Sequence, residues 1–250
     1  MRFFIDISYD GTDFHGWQKQ PNAITIQEVI EGCFEKIFGR HIELVGAGRT
    51  DTGVHAKQLL IHFDTDDKFD SEQLVYKLNR MLPASIAVNK IFRVNDEAHA
   101  RFDAVSREYH YQMSLCKNPF HQAYYAFCPY HLDLEKMNAA CTILKSHRNF
   151  QSFSKVKTDA KTYICKIEKA EWVKDGDKLI FTIIADRFLR NMVRAIVGTL
   201  IEVGRSRLSL SEFEAVIKHK NRSEAGTSVA AKGLFLYKID YPDAIKYTGK

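Results

Sequence analysis

The chain has 250 residues, of which 45% are hydrophobic and 27% are charged with mixed sign, and its formal net charge is +5. This composition excludes a disordered chain and can bury a core as one large domain or two half-sized ones. The five cysteines are scattered without a C-x-x-C pair, which excludes a disulfide framework and a cysteine zinc site. The acid at Asp6 interrupts the N-terminus too early for a signal peptide, and no apolar run reaches membrane-spanning length. We therefore expect a cytoplasmic protein with no membrane partner.

Strand and helix patterns alternate along the first half of the chain. Thr25 and Glu28 have the spacing of a capping box, and Asp70 is placed to cap a second helix. The predicted elements are a strand at residues 3–9, a helix after Thr25 with an apolar stripe at Ile26, Ile30, Cys33 and Ile37, a strand around 59–63, a helix after Asp70 and a strand at 86–92.

The second half repeats this order without visible sequence identity. The predicted elements are a strand at 105–115, a helix striped by Leu134, Met137, Cys141 and Leu144, strands near 163–173 and 179–184, a long amphipathic helix at 189–203, a helix capped by Ser209 and Glu212, and a strand at 234–241. We predict an α+β fold with two similar α/β halves, ferredoxin-like or RRM-like, at residues 1–104 and 105–250. The halves are expected to form one large mixed, mainly antiparallel sheet with helices on one side.

Residues 46–56 read G-A-G-R-T-D-T-G-V-H-A and contain three glycines. Glycine permits backbone conformations that other residues avoid, so the segment is predicted to be a tight, shaped loop that holds Arg49, Thr50 and Asp51. It lacks the third glycine of a dinucleotide-binding loop and the G-K-[ST] of a P-loop. The alternative is an ordinary surface turn with a capping aspartate.

Asp51 is the first candidate for chemistry. A lone carboxylate can act as a nucleophile or base, and a nearby cation keeps it ionised by lowering its pKa. The nearest carboxylates in the sequence, Glu43 and Asp64, give no obvious acid pair of the glycosidase kind. A metal site through Asp51 and His55 lacks further ligands nearby, so we expect no metal.

Arginines and tyrosines in the second half offer further candidates. If the segment around residue 190 is helical, Arg187, Arg190 and Arg194 lie on one side of the helix, and Arg194 borders an apolar stripe where an arginine usually has a partner. The alternative is a solvated basic face. Tyr109 shares a strand face with Tyr111 and is either a core aromatic or a platform that stacks on a nucleobase.

Basic and aromatic residues also occur at 16–22, at 99–102 and along 145–161. Taken singly, each segment fits a solvated loop. Taken together, they suit a long groove for a folded polyanion.

Several ordered blocks carry a family resemblance that covers essentially the whole chain. They are Y-D-G-T at 9–12, H-G-W-Q at 15–18, P-N at 21–22, T-I-Q at 25–27, G-R-T-D at 48–51, G-V-H-A at 53–56, H-A-R-F at 99–102, Y-x-Y at 109–111, N-M-V-R at 191–194, I-V-G-T-L at 196–200 and A-K-G-L at 231–234. The chain resembles the TruA-type bacterial enzymes, tRNA pseudouridine synthase I.

The resemblance implies a cofactor-free and metal-free isomerisation of uridine to pseudouridine at positions 38, 39 and 40 of the tRNA anticodon stem-loop. Asp51 is the implied nucleophile, attacking the ribose or the base, and Arg194 is the arginine that pairs with it. Tyr109 is implied to pack on the target base, and Arg49 to help hold the nucleotide out of the stack. The expected substrate-binding residues are Arg49, His55, Arg101, Tyr109 and Arg190.

The resemblance also implies a homodimer whose second subunit helps to hold the tRNA. Two departures from the family pattern stand out: Thr52 replaces an alanine beside Asp51, and residues 226–230 lack the prolines common in relatives. Two alternatives stay open, a non-enzymatic RNA-binding protein and a related synthase that acts on other RNA positions. An ionised acid in the Asp51 loop argues against the binder, because it repels phosphate.

Overall fold

The computed structural model describes residues 1–156 and 161–245. Nine strands form one mixed sheet in this part of the chain. The strands are β1 (Arg2–Tyr9), β2 (Val45–Gly46), β3 (His55–Asp64), β4 (Ile86–Arg93), β5 (Ser106–Ser114), β6 (Ala126–Phe127), β7 (Ile167–Asp175), β8 (Lys178–Ala185) and β9 (Leu234–Asp240). The helices are α1 (Ile26–Phe38), α2 (Ser71–Met81), α3 (Leu134–Ser146), α4 (Met192–Gly204) and α5 (Leu210–His219).

The chain divides into two compact units. The first consists of Met1–Val105 together with the segment that begins at Leu236, and the second is Ser106–Phe235. The predicted second half, 105–250, therefore includes a C-terminal segment that is grouped here with the first unit.

The first unit contains the strand order β4-β1-β3-β9. Strand β1 is antiparallel to both β3 and β4, and Ile5 pairs with Ile61 on one side and Ile91 on the other. Successive residues of a strand point to opposite faces of the sheet, and both faces are buried here: Ile5 and Ile61 lie on one face and Phe4 and Leu60 on the other.

The helices of the first unit begin where the sequence predicts. The Thr25 hydroxyl accepts from the backbone N–H of Glu28 at 3.4 Å, and Asp70 accepts from Gln73 N–H at 2.8 Å. These caps satisfy backbone donors that a helix start leaves unpaired. On α1 the buried residues include Phe34, which the predicted stripe omitted and whose ring meets Phe63 of β3 edge-on at 5.1 Å.

The second unit contains the strand order β5-β8-β7, with β6 parallel to the end of β5. Tyr111, Phe181 and Trp172 pair across the three long strands and are all buried. Helix α3 is tied to β7 because the Asn138 amide bonds the backbone N–H and carbonyl of Trp172 at 2.8 and 3.1 Å. At the start of α5, Ser209 and Glu212 form the predicted capping box.

These findings confirm the predicted fold class, an α+β fold with a large mixed, mainly antiparallel sheet. The short strands β2 and β6 had no sequence signal. In residues 1–156 and 161–245, no helix is long and apolar enough to cross a membrane. Part of the basic run at 145–161 lies outside the described residues.

The prediction that Arg187, Arg190 and Arg194 share one helix face is wrong. Helix α4 begins at Met192, after Asn191 in the left-handed conformation with φ of 66°. The Asp186 carboxylate accepts from the backbone N–H groups of Lys166 and Arg187 at 2.8 and 2.7 Å, which holds this stretch as a loop. Of the three arginines only Arg194 is helical, because the left-handed backbone of Asn191 interrupts the right-handed helix before Met192.

Candidate active site

Asp51 lies on the loop that joins β2 to β3 in the first unit. The Ala47 N–H donates to the Leu60 carbonyl at 2.8 Å, and Val54 N–H donates to the Asp51 carbonyl at 3.1 Å. The first bond anchors the start of the loop to β3 and the second closes a turn around Asp51. The side chain of Asp51 is half-buried and that of Arg49 is exposed. The sequence prediction of a tight loop here agrees with this geometry.

The segment after β1 fixes this loop on both sides of Asp51. Trp17 N–H donates to the Thr50 carbonyl at 3.3 Å, and Gly53 N–H donates to the Phe14 carbonyl at 3.2 Å. The hydroxyl of Thr50, which is buried, shares a hydrogen bond of 2.8 Å with the Tyr9 hydroxyl. The backbone is therefore held on both sides of Asp51, at Thr50 and at Gly53.

Gly11 packs directly against the Asp51 loop. A Cβ atom at this position would lie 2.0 Å from the Val54 carbonyl oxygen, which is a backbone atom that cannot move aside. Only glycine fits here, and the Y-D-G block therefore acts as a packing surface for the Asp51 loop.

His55, the first residue of β3, is a buried part of the same support. Its ring is 1% exposed, and Nδ1 lies 3.0 Å from Asp10 Oδ1 and 3.1 Å from the Gly11 nitrogen. An unprotonated Nδ1 accepts from Gly11, whereas a protonated one donates to Asp10, so it makes one of these bonds at a time. The expectation that His55 binds substrate stays a prediction, and its buried ring fits a role in holding the loop.

Trp17 extends the support to helix α1. Its indole packs on Gly46, where a Cβ atom would lie 2.6 Å from Nε1. The Trp17 carbonyl accepts from Gln27 N–H at 3.0 Å, and the Gln27 amide donates to buried Glu31 at 2.9 Å and to the Leu44 carbonyl at 3.0 Å. Buried polar groups that are satisfied in this way rigidify their surroundings.

Arg101 belongs to a closed turn in the first unit. His99 N–H donates to the Asp103 carboxylate at 2.7 Å, and Asp103 N–H donates back to the His99 carbonyl at 3.1 Å. Arg101 is exposed on this turn, and its guanidinium lies 5.7 Å from the centre of the Phe102 ring.

The two tyrosines of strand β5 differ in their surroundings. Tyr111 is fully buried, its hydroxyl donates to the Ala230 carbonyl at 3.0 Å, and burial raises its pKa. Tyr109 is half-buried and meets Phe188 edge-on at 5.1 Å. A strand tyrosine can be a core aromatic or a platform for a base. Tyr111 is a core aromatic, whereas the ring of Tyr109 is less enclosed.

Arg194 lies in the first turn of α4 and binds the chain at residues 226–230. Its Nε donates to the Val229 carbonyl at 2.8 Å, and Val229 N–H donates to the Arg194 carbonyl at 3.2 Å. The Asn191 amide donates to the Ser228 hydroxyl at 2.6 Å. At Gly198 a Cβ atom would lie 1.9 Å from the Thr227 carbonyl oxygen. The segment is thus held closely to α4 although it lacks prolines.

Arg190 lies in the turn before α4, outside the helix, and is exposed. Its carbonyl accepts from Lys155 N–H at 3.0 Å. Within the described residues, no group of three or more His, Cys, Asp or Glu side chains is arranged to hold a metal ion.

The residues that support these groups carry no functional signal of their own in the sequence. Four residues that contact the candidate loops are Tyr9, Gly11, Trp17 and Ser228. In the sequence they are recognisable only as members of matched blocks or of a loop. Such contacts join positions far apart in the chain, and one sequence has no signal for them.

Comparison with known proteins gives the family. A family model described as tRNA pseudouridine synthase matches residues 7–103 and 140–242. The chain belongs to the tRNA pseudouridine synthase family. Members of this family are isomerases, so the chain is an enzyme and the alternative of a non-enzymatic RNA-binding protein falls away.

Individual relatives in the tRNA pseudouridine synthase family match over almost the full chain. The chain is 49% identical to tRNA pseudouridine synthase A of Bacteroides fragilis over 98% of both chains. It is 50% identical to the enzyme of that name from Parabacteroides distasonis, over 98% of this chain and 97% of the relative. It is 40% identical to the enzyme of that name from Bacillus licheniformis, over 96% and 99%.

Proposed function

We propose that this enzyme converts uridine to pseudouridine at positions 38, 39 and 40 in the anticodon stem-loop of tRNA, with Asp51 as the nucleophile. Family membership supports the reaction class. The observation that carries the assignment to Asp51 is the loop geometry, in which backbone hydrogen bonds on both sides hold the residue of the G-R-T-D block. A nucleophile needs this kind of fixed position, because small displacements reduce the rate steeply.

The reaction needs no co-reactant. The bond between C1′ of the ribose and N1 of uracil breaks, the base turns, and C1′ joins C5. The C5 proton is lost and N1 gains a proton, so atoms and electrons balance within the substrate and solvent. Asp51 attacks the ribose or the base and is regenerated when the product is released, which is covalent catalysis by a carboxylate.

Three further residues have roles in this proposal. Tyr109 stacks on the target base, since its ring is less enclosed than that of Tyr111. Arg194 serves the same reaction as the arginine that pairs with Asp51. Arg49, which is exposed on the Asp51 loop, helps to hold the nucleotide out of the stack.

Arg101, Arg190 and His55 complete the proposed binding set. The first two are exposed cations suited to phosphate. His55 contributes from below the surface, by fixing the loop.

The deciding experiment is the Asp51→Asn variant. It keeps the size of the side chain and removes the charge, so turnover should vanish while tRNA still binds. The assay follows uridine-to-pseudouridine conversion in an anticodon stem-loop, with binding and melting temperature measured in parallel. Asp66→Asn is the matched control, because the Asp66 side chain is fully exposed. Near wild-type turnover in a folded Asp51→Asn enzyme would end the assignment.

The Arg194→Met variant tests the second role. If Arg194 and Asp51 act as one unit, the double variant should be scarcely slower than the worse single variant. Multiplicative losses would separate the two residues.

The positions, the assembly and the location are tested separately. Mapping pseudouridine in tRNA from cells with and without the gene should show losses at 38, 39 and 40, and losses elsewhere would indicate a synthase of different specificity. We also propose a homodimer, which light scattering at micromolar concentration checks, and a cytoplasmic location, which cell fractionation checks.

A further inference from the structure

Phe102 is the most exposed aromatic residue among the described residues of the first unit. It is 73% exposed, although burial of a phenylalanine ring away from water lowers the free energy. It follows Arg101, and the Arg101 guanidinium lies 5.7 Å from the ring centre. The centre of the His99 ring lies 4.3 Å from the centre of the Phe102 ring, and the two ring planes are tilted by 37°. An exposed ring with a guanidinium beside it therefore projects from this turn.

The backbone under the ring is held in one conformation. His99 Nδ1 accepts from the N–H groups of Arg101 and Phe102 at 3.1 and 3.4 Å. Ala100 is fully buried, its N–H donates to His62 Nδ1 at 3.1 Å, and its carbonyl accepts from the Tyr241 hydroxyl. With the reciprocal bonds between His99 and Asp103, the turn is fixed before any ligand arrives. A preorganised ring loses little entropy on binding.

The side chains of Phe102 and Arg101 together indicate which class of ligand this turn would bind. Nucleobases stack on exposed aromatic faces in a sequence-tolerant way, and an adjacent arginine can contact phosphate. A protein partner would instead be expected to cover a contiguous apolar patch. The ring stands on a turn with a cation beside it, which favours an unpaired nucleotide.

We propose that Phe102, with Arg101, is a stacking site for an unpaired base of the RNA substrate, distinct in residues from the base platform assigned to Tyr109. This inference rests on the proposed function, because it takes the anticodon stem-loop as its ligand. Phe102 touches a base that is not isomerised, and it contributes to affinity and not to the chemical step.

The test measures binding of a fluorescein-labelled anticodon stem-loop RNA and of a fully paired RNA duplex of the same length. Phe102→Ala should weaken stem-loop binding by roughly 5- to 150-fold and leave duplex binding unchanged. Phe102→Tyr should bind like the wild type, whereas Phe102→Leu, which keeps apolar volume without a ring face, should lose most of the affinity. The matched control is Tyr76→Ala on α2, at 67% exposure, which should bind both RNAs normally.

A salt series separates stacking from charge. In a plot of log affinity against log salt concentration, Phe102→Ala should lower the whole line without changing its slope. Arg101→Met should reduce the magnitude of the slope by about 0.7–0.9, as expected for one lost phosphate contact. Melting temperatures confirm that each variant is folded, and Phe102→Leu replaces Phe102→Ala if the latter is not.

Three results would overturn the inference. The first is unchanged stem-loop binding by Phe102→Ala or Phe102→Leu, and the second is an equal loss of affinity for the stem-loop and the duplex. The third is a variant that binds RNA normally but differs from the wild type in the mass of the protein assembly measured by sedimentation, which would indicate a protein contact. The assay of pseudouridine formation by the wild-type enzyme is read independently. If the wild type forms pseudouridine and Phe102→Ala binds normally, this inference fails alone, and if the wild type forms none, the proposed function fails.

Discussion

Arg194 and Val229 bond each other twice. The Arg194 Nε donates to the Val229 carbonyl at 2.8 Å, and the Val229 N–H donates to the Arg194 carbonyl at 3.2 Å. The first bond uses the side chain and the second uses the backbone at the first turn of α4. One guanidinium nitrogen is therefore committed to holding the 226–230 segment, whatever else the remaining nitrogens contact.

Replacing Arg194 with lysine should accordingly loosen the 226–230 segment. Lysine keeps the positive charge but has no planar Nε–H group to reach the Val229 carbonyl. We expect a loss of about 1 kcal/mol in the free energy of unfolding. Hydrogen exchange should show faster exchange at residues 226–230 and unchanged exchange in β7. Protection as strong as in the wild type would contradict the role of this bond.

Gly11→Ala should damage the Asp51 loop specifically. The added Cβ atom would meet the Val54 carbonyl at 2.0 Å, so one of the two segments must move. We expect the free energy of unfolding to fall by about 1–3 kcal/mol. The fold-decrease in kcat should be larger than the fold-increase in the Kd for tRNA.

The matched control is Gly32→Ala in the interior of α1, where a Cβ atom meets nothing within 4 Å. This change should stabilise the protein by about 0.5–1 kcal/mol, because alanine favours a helix. Equal effects from both alanines would show that the approach at Gly11 is not constraining.

Tyr109 is tested by two substitutions that separate the ring from the hydroxyl. Tyr109→Phe should keep most of the tRNA affinity, whereas Tyr109→Leu should lose about 1–3 kcal/mol, because only the ring face stacks on a base. Filter binding and turnover are measured for both variants. If both bind and turn over nearly as well as the wild type, or if neither folds, Tyr109 is a core residue.

His62 should make the stability of the first unit depend on pH. Burial, then Arg2 and His99, lowers the pKa of His62 to about 4, and its unprotonated Nδ1 accepts from Ala100. The pKa of His62 in the folded state lies below its unfolded value of about 6.5. Neutral His62 therefore makes its full contribution to the free energy of unfolding above pH 6.5, and this contribution is lost as the pH falls toward 4. The expected slope is at most about 1.4 kcal/mol per pH unit between those values.

Urea unfolding at several pH values checks this expectation in the wild type and in His62→Gln. The variant should be less stable at pH 7 and should show a shallower dependence between pH 6.5 and 4. His41→Gln, at an exposed position, serves as the control and should follow the wild type. Parallel curves for His62→Gln and the wild type would assign the pH dependence to other groups.

Local signals account for what could be predicted from this sequence. Capping residues such as Thr25, Asp70 and Ser209 act within one turn of their helix, so their spacing alone locates three helix starts. The predicted start of α4 near Leu189 is wrong because Arg187 and Leu189 continue the apolar and basic periodicity, whereas the left-handed backbone of Asn191 and the bond from distant Lys166 to Asp186 arise only in the folded chain. The G-R-T-D block marked Asp51, but its support by Tyr9 and Trp17 depends on the folded chain.

The close packing of Trp17 on Gly46 provides an optical means of studying this protein. The sequence contains two tryptophans, Trp17 in the first unit and Trp172 in the second, and both are buried. Trp172→Phe would leave a single emitter beside the Asp51 loop, and Trp17→Phe a single emitter in β7, next to Phe181. Emission spectra of the two variants would then follow the unfolding of each unit separately, and would reveal whether RNA binding perturbs the loop before any chemistry occurs.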